Sequence, residues 1–244
     1  MFEGKLAESF RTLDLPKPFE INQIQQYGEV FEITFEKPLK IEAAPGQYGM
    51  FSMGIPGAGE KPFMIANPDP FKIWVNPVGP FSKDITSGQV PTLYIRGPKG
   101  TGFTKPDESE LSDGSKLSFI ITNTAGISSL NFLINRLSRK LHRHVNVILT
   151  KEILQKFGAA SAFINFAHFV LPENTLQDSL QGLLANSSHI YMDKLFQIEE
   201  SPTLKRAQAL NLDTYFRCSM GICGSCEYKG LFMCTEGPVV DLLR

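Results

Sequence analysis

Apolar and polar positions alternate in short runs along the first hundred residues, and glycine or proline separates one run from the next. Alternation with a period of two is typical of half-buried β-strands. The pattern therefore predicts an antiparallel β-barrel that begins with a hairpin turning at Tyr27-Gly28. The predicted strands cover residues 19–25, 29–35, 48–53, 63–66, 72–75 and 92–96.

The pattern changes after residue 103. Residues 104–116 are polar and typical of a linker. Predicted strands and helices then alternate, which indicates a parallel α/β sheet. The first helix is predicted from leucine and isoleucine positions that share one face of a 3.6-residue period. The predicted strands are 117–122, 144–150, 162–166 and 189–192, and the predicted helices are 128–141, 174–185 and 203–210.

Composition narrows the function. The chain has 244 residues, enough for one large or two ordinary domains, and its formal net charge is -1. That balance argues against a nucleic-acid binder. No run approaches the ~18 apolar residues of a membrane-spanning helix. The first residues show no signal-peptide pattern, so we expect a cytoplasmic protein with reduced thiols.

The strongest chemical signal is the spacing of the cysteines. The sequence contains four, in the pattern C-x4-C-x2-C-x7-C. The first three match the plant-type spacing of a [2Fe–2S] cluster, whose function is one-electron transfer. Gly221 and Gly224 lie between them and permit tight turns with backbone amides close to sulfur. The predicted ligands are Cys218, Cys223, Cys226 and Cys234.

Three other interpretations of the cysteines remain open at this stage. Four thiolates also suit tetrahedral zinc, although structural zinc sites usually present two closely spaced pairs and only Cys223 and Cys226 form one here. Disulfides would need an oxidising compartment. A thioredoxin-like C-x2-C motif would leave the other two cysteines unexplained.

A barrel, an α/β domain and a four-cysteine tail, in this order, resemble the electron-transfer subunit of NAD-linked dihydroorotate dehydrogenase, within the ferredoxin–NADP reductase superfamily. Three segments carry the resemblance. They are Thr-Glu-Gly-Pro-Val after Cys234, Pro-Gly-Gln at 45–47, and Gly-Pro-Lys-Gly-Thr-Gly-Phe at 97–103. The x7 gap is shorter than is usual in the family, and Gly230 can supply the tighter turn.

The resemblance implies three parts: a flavin-binding-type barrel (1–103), a degenerate NAD-binding-type α/β domain (104–212) and a [2Fe–2S] module (213–244). It also implies a partner, an FMN-containing catalytic dihydroorotate dehydrogenase subunit in a heterotetramer that serves pyrimidine biosynthesis. Electrons from FMN would pass through the cluster to FAD and NAD, or to another acceptor such as a quinone or a small redox protein. The chain alone would not oxidise dihydroorotate.

The flavin motif departs from the family. Where relatives carry arginine and a hydroxyl residue, this chain has Lys-Pro-Phe-Met at 61–64, and Gly-Pro-Phe-Ser at 79–82 replaces a Gly-x-Gly-Thr turn. Lysine neutralises phosphate only as a point charge, and methionine cannot donate a hydrogen bond. FAD binding therefore stays open. The candidate FAD residues are Lys61, Pro62, Phe63, Gly79 and Ser82.

The nicotinamide motif departs further. From the family's first α/β turn only Gly126 and Ile127 survive, and Met192-Asp193-Lys194 replaces Cys-Gly-Pro after the last sheet strand. Gly126 is the one candidate NAD residue, and the losses argue against NAD(P) binding in the usual mode. Alternative functions are an iron–sulfur subunit of a hydrogenase, sulfide dehydrogenase or transhydrogenase, or a non-catalytic redox sensor or scaffold.

Overall fold

The computed structural model of the protein describes residues 15–54, 59–111, 114–158, 169–199 and 201–243. Within these ranges the chain forms a closed antiparallel barrel and then a six-stranded sheet with one antiparallel edge strand. Both units were predicted from the sequence, and both are confirmed.

Six strands close the barrel in the order β1-β2-β5-β4-β3-β6. The predicted hairpin is present, with Tyr27 paired to Val30 across a turn at Gly28, whose φ is 58°. Phenylalanines fill much of the interior; Phe35 and Phe71, for example, stack with ring centroids 4.5 Å apart. The strands are β1 (Lys17–Tyr27), β2 (Val30–Phe35), β3 (Tyr48–Ser52), β4 (Lys61–Pro68), β5 (Phe71–Val75) and β6 (Thr92–Lys99).

A short helix that the sequence pattern did not predict, α1 (Pro80–Thr86), lies between β5 and β6. Pro80 occupies its first position, where a missing N–H costs nothing. Phe81 and Ile85 are buried in the barrel core. The Gly-Pro-Phe-Ser segment therefore begins a helix that packs onto the barrel.

The sheet has the strand order β14-β11-β10-β7-β8-β9, and only β14 runs antiparallel to its neighbour. Its strands are β7 (Lys116–Ile121), β8 (Val145–Thr150), β9 (Phe169–Leu171), β10 (Ser187–Met192), β11 (Arg206–Leu210) and β14 (Val239–Asp241). The helices are α2 (Thr124–Asn135), α3 (Arg139–His142), α4 (Lys151–Phe157) and α5 (Glu173–Leu184), and a 3-10 turn spans Glu108–Glu110.

The prediction of a helix over 203–210 is wrong. Residues 206–210 form strand β11, which pairs in parallel with β10 and is almost wholly buried. Arg-Ala-Gln-Ala-Leu has good intrinsic helix propensity, but burial between two strands overrides a preference worth only tenths of a kcal/mol per residue.

The predicted helix 128–141 begins earlier and is interrupted. Asn123 caps α2, accepting a hydrogen bond from the Gly126 amide at 2.9 Å, so the helix begins at Thr124. Ser138 adopts an extended conformation and caps α3, which breaks the helix after Asn135. The predicted apolar face is confirmed, with all four of its residues buried: Leu130, Leu133, Ile134 and Leu137.

Two other segments complete the comparison. The strand predicted at 162–166 lies outside the described residues. Helix α4 was not predicted, and its C-terminal end contacts the first barrel hairpin, where Glu29 donates its amide to the carbonyl oxygen of Lys156 at 2.6 Å. Trp74 packs against Tyr27 and Phe157 with ring centroids about 5 Å apart, so one side of the barrel shares a hydrophobic cluster with the sheet. The phenylalanine-rich interior of the barrel forms a second cluster.

Candidate functional site

We call residues 218–234 the cysteine loop. Cys226 and Cys234 are buried, Cys218 is half-buried, Cys223 is exposed, and all four are free thiols. The predicted turn at Gly230 is confirmed, since it joins the short strands β12 (Glu227–Tyr228) and β13 (Leu231–Phe232).

Backbone amides of the loop point at sulfur. Met220 donates its N–H to Cys218 Sγ at 3.4 Å, and Gly221 donates its N–H to Cys234 Sγ at 3.3 Å. Gly221 has a φ of 71°, a left-handed conformation that glycine adopts without cost. Amides in these positions favour the thiolate over the thiol.

The thiols of Cys218 and Cys234 differ in acidity. Desolvation acts to raise the pKa of Cys218, but the amides of Cys223, Ile222 and Met220 outweigh it and lower the pKa to about 6. Burial raises the pKa of Cys234 to about 11, reinforced by Cys226. A positive ion among the sulfurs would favour ionisation of Cys234 as well.

Two features decide whether these thiols fit a cluster: the hydrogen-bond donors that face the sulfur atoms, and the arrangement of the sulfur atoms themselves. The amide-to-sulfur bonds and the electrostatic coupling of Cys234 to Cys226 and Cys218 suit a shared thiolate site. However, in the described part of the chain, no three or more His, Cys, Asp or Glu side chains are positioned to hold a metal ion. The donor chemistry therefore fits a four-thiolate group, and closer convergence of the sulfurs would be required on binding.

Two barrel side chains anchor the cysteine loop. The Tyr48 hydroxyl donates to the carbonyl oxygen of Cys234 at 3.0 Å. Arg96 donates to the carbonyl oxygen of Cys218 at 3.3 Å, and its guanidinium also forms a two-pronged ion pair with Glu60 at 2.8 and 2.5 Å. The loop is thus held at both ends by strands β3 and β6.

The two Gly-Pro segments singled out in the sequence meet in the structure. Thr101 donates its amide to the carbonyl oxygen of Gly237 at 2.5 Å and its hydroxyl to that of Glu236 at 2.9 Å. A Cβ on Gly100 would lie 2.0 Å from the carbonyl oxygen of Gly237, so only glycine fits. The segment that ends the barrel therefore supports the segment that follows Cys234.

A cavity of about 320 Å³ lies beside the cysteine loop, between β4, the start of α2 and residues 212–216. Tyr48 and Phe216 line it, with ring centroids 4.9 Å apart, and Tyr48 also holds Cys234. The hydroxyl oxygen of Thr214 is buried at its edge without a hydrogen-bond partner among the described residues. The other lining residues include Glu60, Met64, Trp74, Asn76, Thr124, Ser128 and Tyr215.

The structure brings together some of the predicted flavin residues. Lys61, Pro62 and Phe63 line the cavity. Gly79 and Ser82 do not, because Ser82 Oγ accepts the Gly79 amide at 3.0 Å and caps α1. Tyr48, Phe216 and Thr214 were not predicted as site residues, since nothing local to each in the sequence shows that they converge.

Gly126 lies in the first turn of α2, against a buried carboxylate that the prediction did not include. Asp193 accepts the amides of Thr122 and Asn123 on Oδ2 at 2.5 and 2.7 Å, and the Thr122 hydroxyl on Oδ1 at 2.9 Å. The residue is 1% exposed. Burial raises the pKa of Asp193 to about 7, although the hydrogen bonds from Thr122 and Asn123 oppose the rise.

Comparison with solved structures defines the class of fold. The NADH-dependent reduced ferredoxin-NADP oxidoreductase matches with a TM-score of 0.66 at 15% identity, covering 91% of this chain and 87% of that one. Ferredoxin-NADP+ reductase from Plasmodium falciparum matches with a TM-score of 0.52 at 13% identity, covering 73% and 88%. The barrel and sheet therefore have the ferredoxin reductase fold.

No protein-family model matches the chain. Comparison with individual sequences points to a narrower group of proteins than the fold does. Relatives named "Probable dihydroorotate dehydrogenase B (NAD(+)), electron transfer subunit" are 29% identical in Pyrococcus horikoshii, covering 82% of this chain and 80% of the relative, and 28% identical in Methanopyrus kandleri, covering 92% and 89%. The predicted resemblance to these electron-transfer subunits is confirmed. Within the described residues, no helix has the length and apolarity needed to cross a membrane.

Proposed function

We propose that this chain is the electron-transfer subunit of a dihydroorotate dehydrogenase. It would carry electrons singly from the FMN of a separate catalytic subunit through a [2Fe–2S] cluster to a flavin or another acceptor. The similarity to subunits of that name over most of the chain supports the partner.

The observation that carries the proposal is that the two candidate redox sites, the cavity and the cysteine loop, are adjacent and both contact Tyr48. Tyr48 lines the apolar cavity and donates to the carbonyl oxygen of Cys234, and Phe216 packs on Tyr48 two residues before Cys218. A group in the cavity and a group on the thiols would be separated by little more than one aromatic side chain. Such proximity is what sequential electron transfer requires.

The cluster would be held by Cys218, Cys223, Cys226 and Cys234, and it supplies one-electron transfer when bound. The loop's own contribution is to place thiolates and amides. The low pKa of Cys218 prepares one ligand for binding. Arg96, which is paired with Glu60, donates to the carbonyl oxygen of Cys218 and so helps to position that ligand.

A flavin ring suits the cavity, and bound there it supplies the exchange between electron pairs and single electrons. The volume of about 320 Å³ is at the lower end of ligand pockets, so it would take the ring and leave the phosphates outside. Lys61 at the rim can neutralise a phosphate. Thr214 offers the hydroxyl that Met64 no longer provides, and its oxygen is without a partner among the described residues.

The surface around the cysteine loop suits a partner protein. Tyr215, Met220 and Ile222 expose 65%, 53% and 77% of their surface there, next to the exposed Cys223. Large apolar side chains grouped at the surface mark interaction sites. We assign this group, called the docking patch below, to the catalytic FMN subunit, because electrons from FMN must enter near the thiols.

The proposal is tested by a cofactor assay on anaerobically purified protein, measuring iron, acid-labile sulfide, zinc and released flavin per chain. Equal amounts of iron and sulfide, together with flavin, would support electron transfer through both a cluster and a flavin. Iron and sulfide without flavin supports a cluster relay that uses a different acceptor. Zinc without sulfide would overturn the electron-transfer function.

The same assay includes titration of flavin into the protein while the fluorescence of Trp74 is followed. Trp74 is the chain's single tryptophan and lines the cavity, so a bound ring would quench it. Thr214→Val removes the unpaired hydroxyl at nearly constant volume and is expected to weaken flavin binding. Quenching that is the same in both proteins would place the flavin elsewhere.

A further inference from the structure

The topology of the sheet defines one crevice where a ligand is expected. From β7 the chain continues through β8 to β9 on one side, then returns to β10 and β11 on the other. The order of strands therefore reverses between β7 and β10. In open α/β sheets, ligands bind outside the carboxyl ends of the strands at such a switch point.

The carboxyl ends of β7 and β10 lead into Thr122-Asn123 and Asp193. Free amides at this turn and at the start of α2 would be the natural donors for a dinucleotide phosphate. Here three of these amides already have acceptors within the protein. Asp193 accepts the amides of Thr122 and Asn123, and the Asn123 side chain accepts the amide of Gly126.

Gly126 is matched to Asp193 in shape. A Cβ at position 126 would lie 2.1 Å from Asp193 Oδ2 and 2.4 Å from Asp193 Cβ, well inside contact distance. Gly126 does not have a positive φ. Glycine is therefore required at this position because a side chain would not fit, and not because of the backbone conformation. The space that glycine leaves open is therefore occupied by the carboxyl group of Asp193.

We propose that the carboxyl group of Asp193 fills the switch-point crevice and closes it to the phosphates of NAD(P). A phosphate would have to displace a side chain that makes three hydrogen bonds, and it would meet like charge whenever Asp193 is ionised. The curated relatives are named for NAD(+); this chain would differ from them in its acceptor. The inference deepens the proposed function, but nucleotide binding and electron transfer are measured separately, so either can fail alone.

The first test is isothermal titration calorimetry of the wild-type protein with NAD+, NADP+ and NADH. We expect no binding up to millimolar nucleotide. Micromolar affinity for any of the three nucleotides would overturn the proposal. This result does not depend on any variant with an altered Asp193.

The second test is rescue by an added anion. Asp193→Ala leaves the amides of Thr122 and Asn123 without an acceptor, so the midpoint of thermal unfolding (Tm) should fall. Inorganic phosphate should then raise the Tm of Asp193→Ala, relative to chloride at equal ionic strength, because it can occupy the vacated position. Wild type should show a much smaller shift.

The matched control is Leu184→Ala. It removes a buried side chain from α5 and destabilises the protein without creating an anion site. It corrects for the general stabilisation that phosphate gives to any folded protein. Equal phosphate shifts in Asp193→Ala and Leu184→Ala would show that Asp193 does not occupy an anion position.

Discussion

At the scale of single residues, the chemistry of this protein depends on which backbone groups face each side chain. Cys218 and Cys234 are both cysteines of one loop, yet amides lower the pKa of the first to about 6 and burial raises that of the second to about 11. The sequence spacing predicts that these cysteines are ligands, and the local amides and burial set the acidity of Cys218 and Cys234.

Cys226→Ser tests the assignment of the ligands. The serine hydroxyl is a poor ligand for iron, so we expect the mutant complex to lose electron transfer to an external acceptor. Reduction of FMN by dihydroorotate in the catalytic subunit should survive, because that step does not involve this chain. Stopped-flow absorbance separates the two steps.

Thr235→Ser is the control for that experiment, because it lies beside Cys234 and keeps all four thiols and the hydroxyl. It should pass electrons close to the wild-type rate. If Cys226→Ser transferred electrons at the wild-type rate, the cysteine loop would not lie on the electron-transfer path.

At the scale of secondary-structure elements, one contact between barrel and sheet is the packing of the β1–β2 hairpin turn on the end of α4. Gly28 has a φ of 58°, and its Cα faces the carbonyl oxygen of Lys156. Since the cavity lies between the same two units, this contact also helps to set the cavity's shape.

Gly28→Ala should destabilise the protein more than its backbone conformation alone explains. A Cβ there would lie 2.3 Å from the carbonyl oxygen of Lys156, which is backbone and cannot move aside cheaply. We expect a loss of ~1–2 kcal/mol from the left-handed conformation and a further ~1–3 kcal/mol from overpacking. Urea unfolding followed by circular dichroism measures the sum.

Gly88→Ala provides the comparison. Gly88 also has a positive φ, 79°, but a Cβ there would meet no atom of the described residues within 4 Å. It should lose only the conformational part. If both variants lost the same free energy of unfolding, the hairpin would not be packed against α4 as described.

At the scale of the whole molecule, the candidate sites are concentrated where barrel, sheet and cysteine loop meet. The cavity, the anchoring residues Tyr48 and Arg96 and the docking patch all lie in this region, whereas the opposite end of the sheet closes with the short strand β9. A partner that docks at the thiols would therefore also approach the cavity.

Ile222→Glu should weaken assembly with the catalytic subunit. The isoleucine is 77% exposed in the isolated chain, and a carboxylate buried at an interface is costly to desolvate. A central contact is typically worth about 2 kcal/mol, roughly a thirtyfold increase in Kd. Surface plasmon resonance with the immobilised catalytic subunit gives the value.

Val170→Glu serves as the matched variant, because Val170 is 39% exposed on the outer strand β9, away from the docking patch. It should leave the Kd unchanged. If Ile222→Glu and wild type bound the catalytic subunit with equal affinity, the docking patch would not be part of this interface.

The sequence by itself determined the strands of the barrel, the apolar face of α2, the turn at Gly230 and the resemblance to electron-transfer subunits. Each of these rests on local information: a period of two or 3.6, a glycine in a tight turn, or a fixed spacing between cysteines. Local patterns survive folding when burial agrees with them, as it does at Leu130 and Leu133.

Only the tertiary structure decided the rest. Residues 206–210 became a strand because β10 and β14 pair on either side of them, against their helical propensity. Thr214 meets the cavity, and Asp193 meets Gly126, through approaches between segments distant in sequence. Such contacts depend on how whole elements pack, and no window along the chain contains that information.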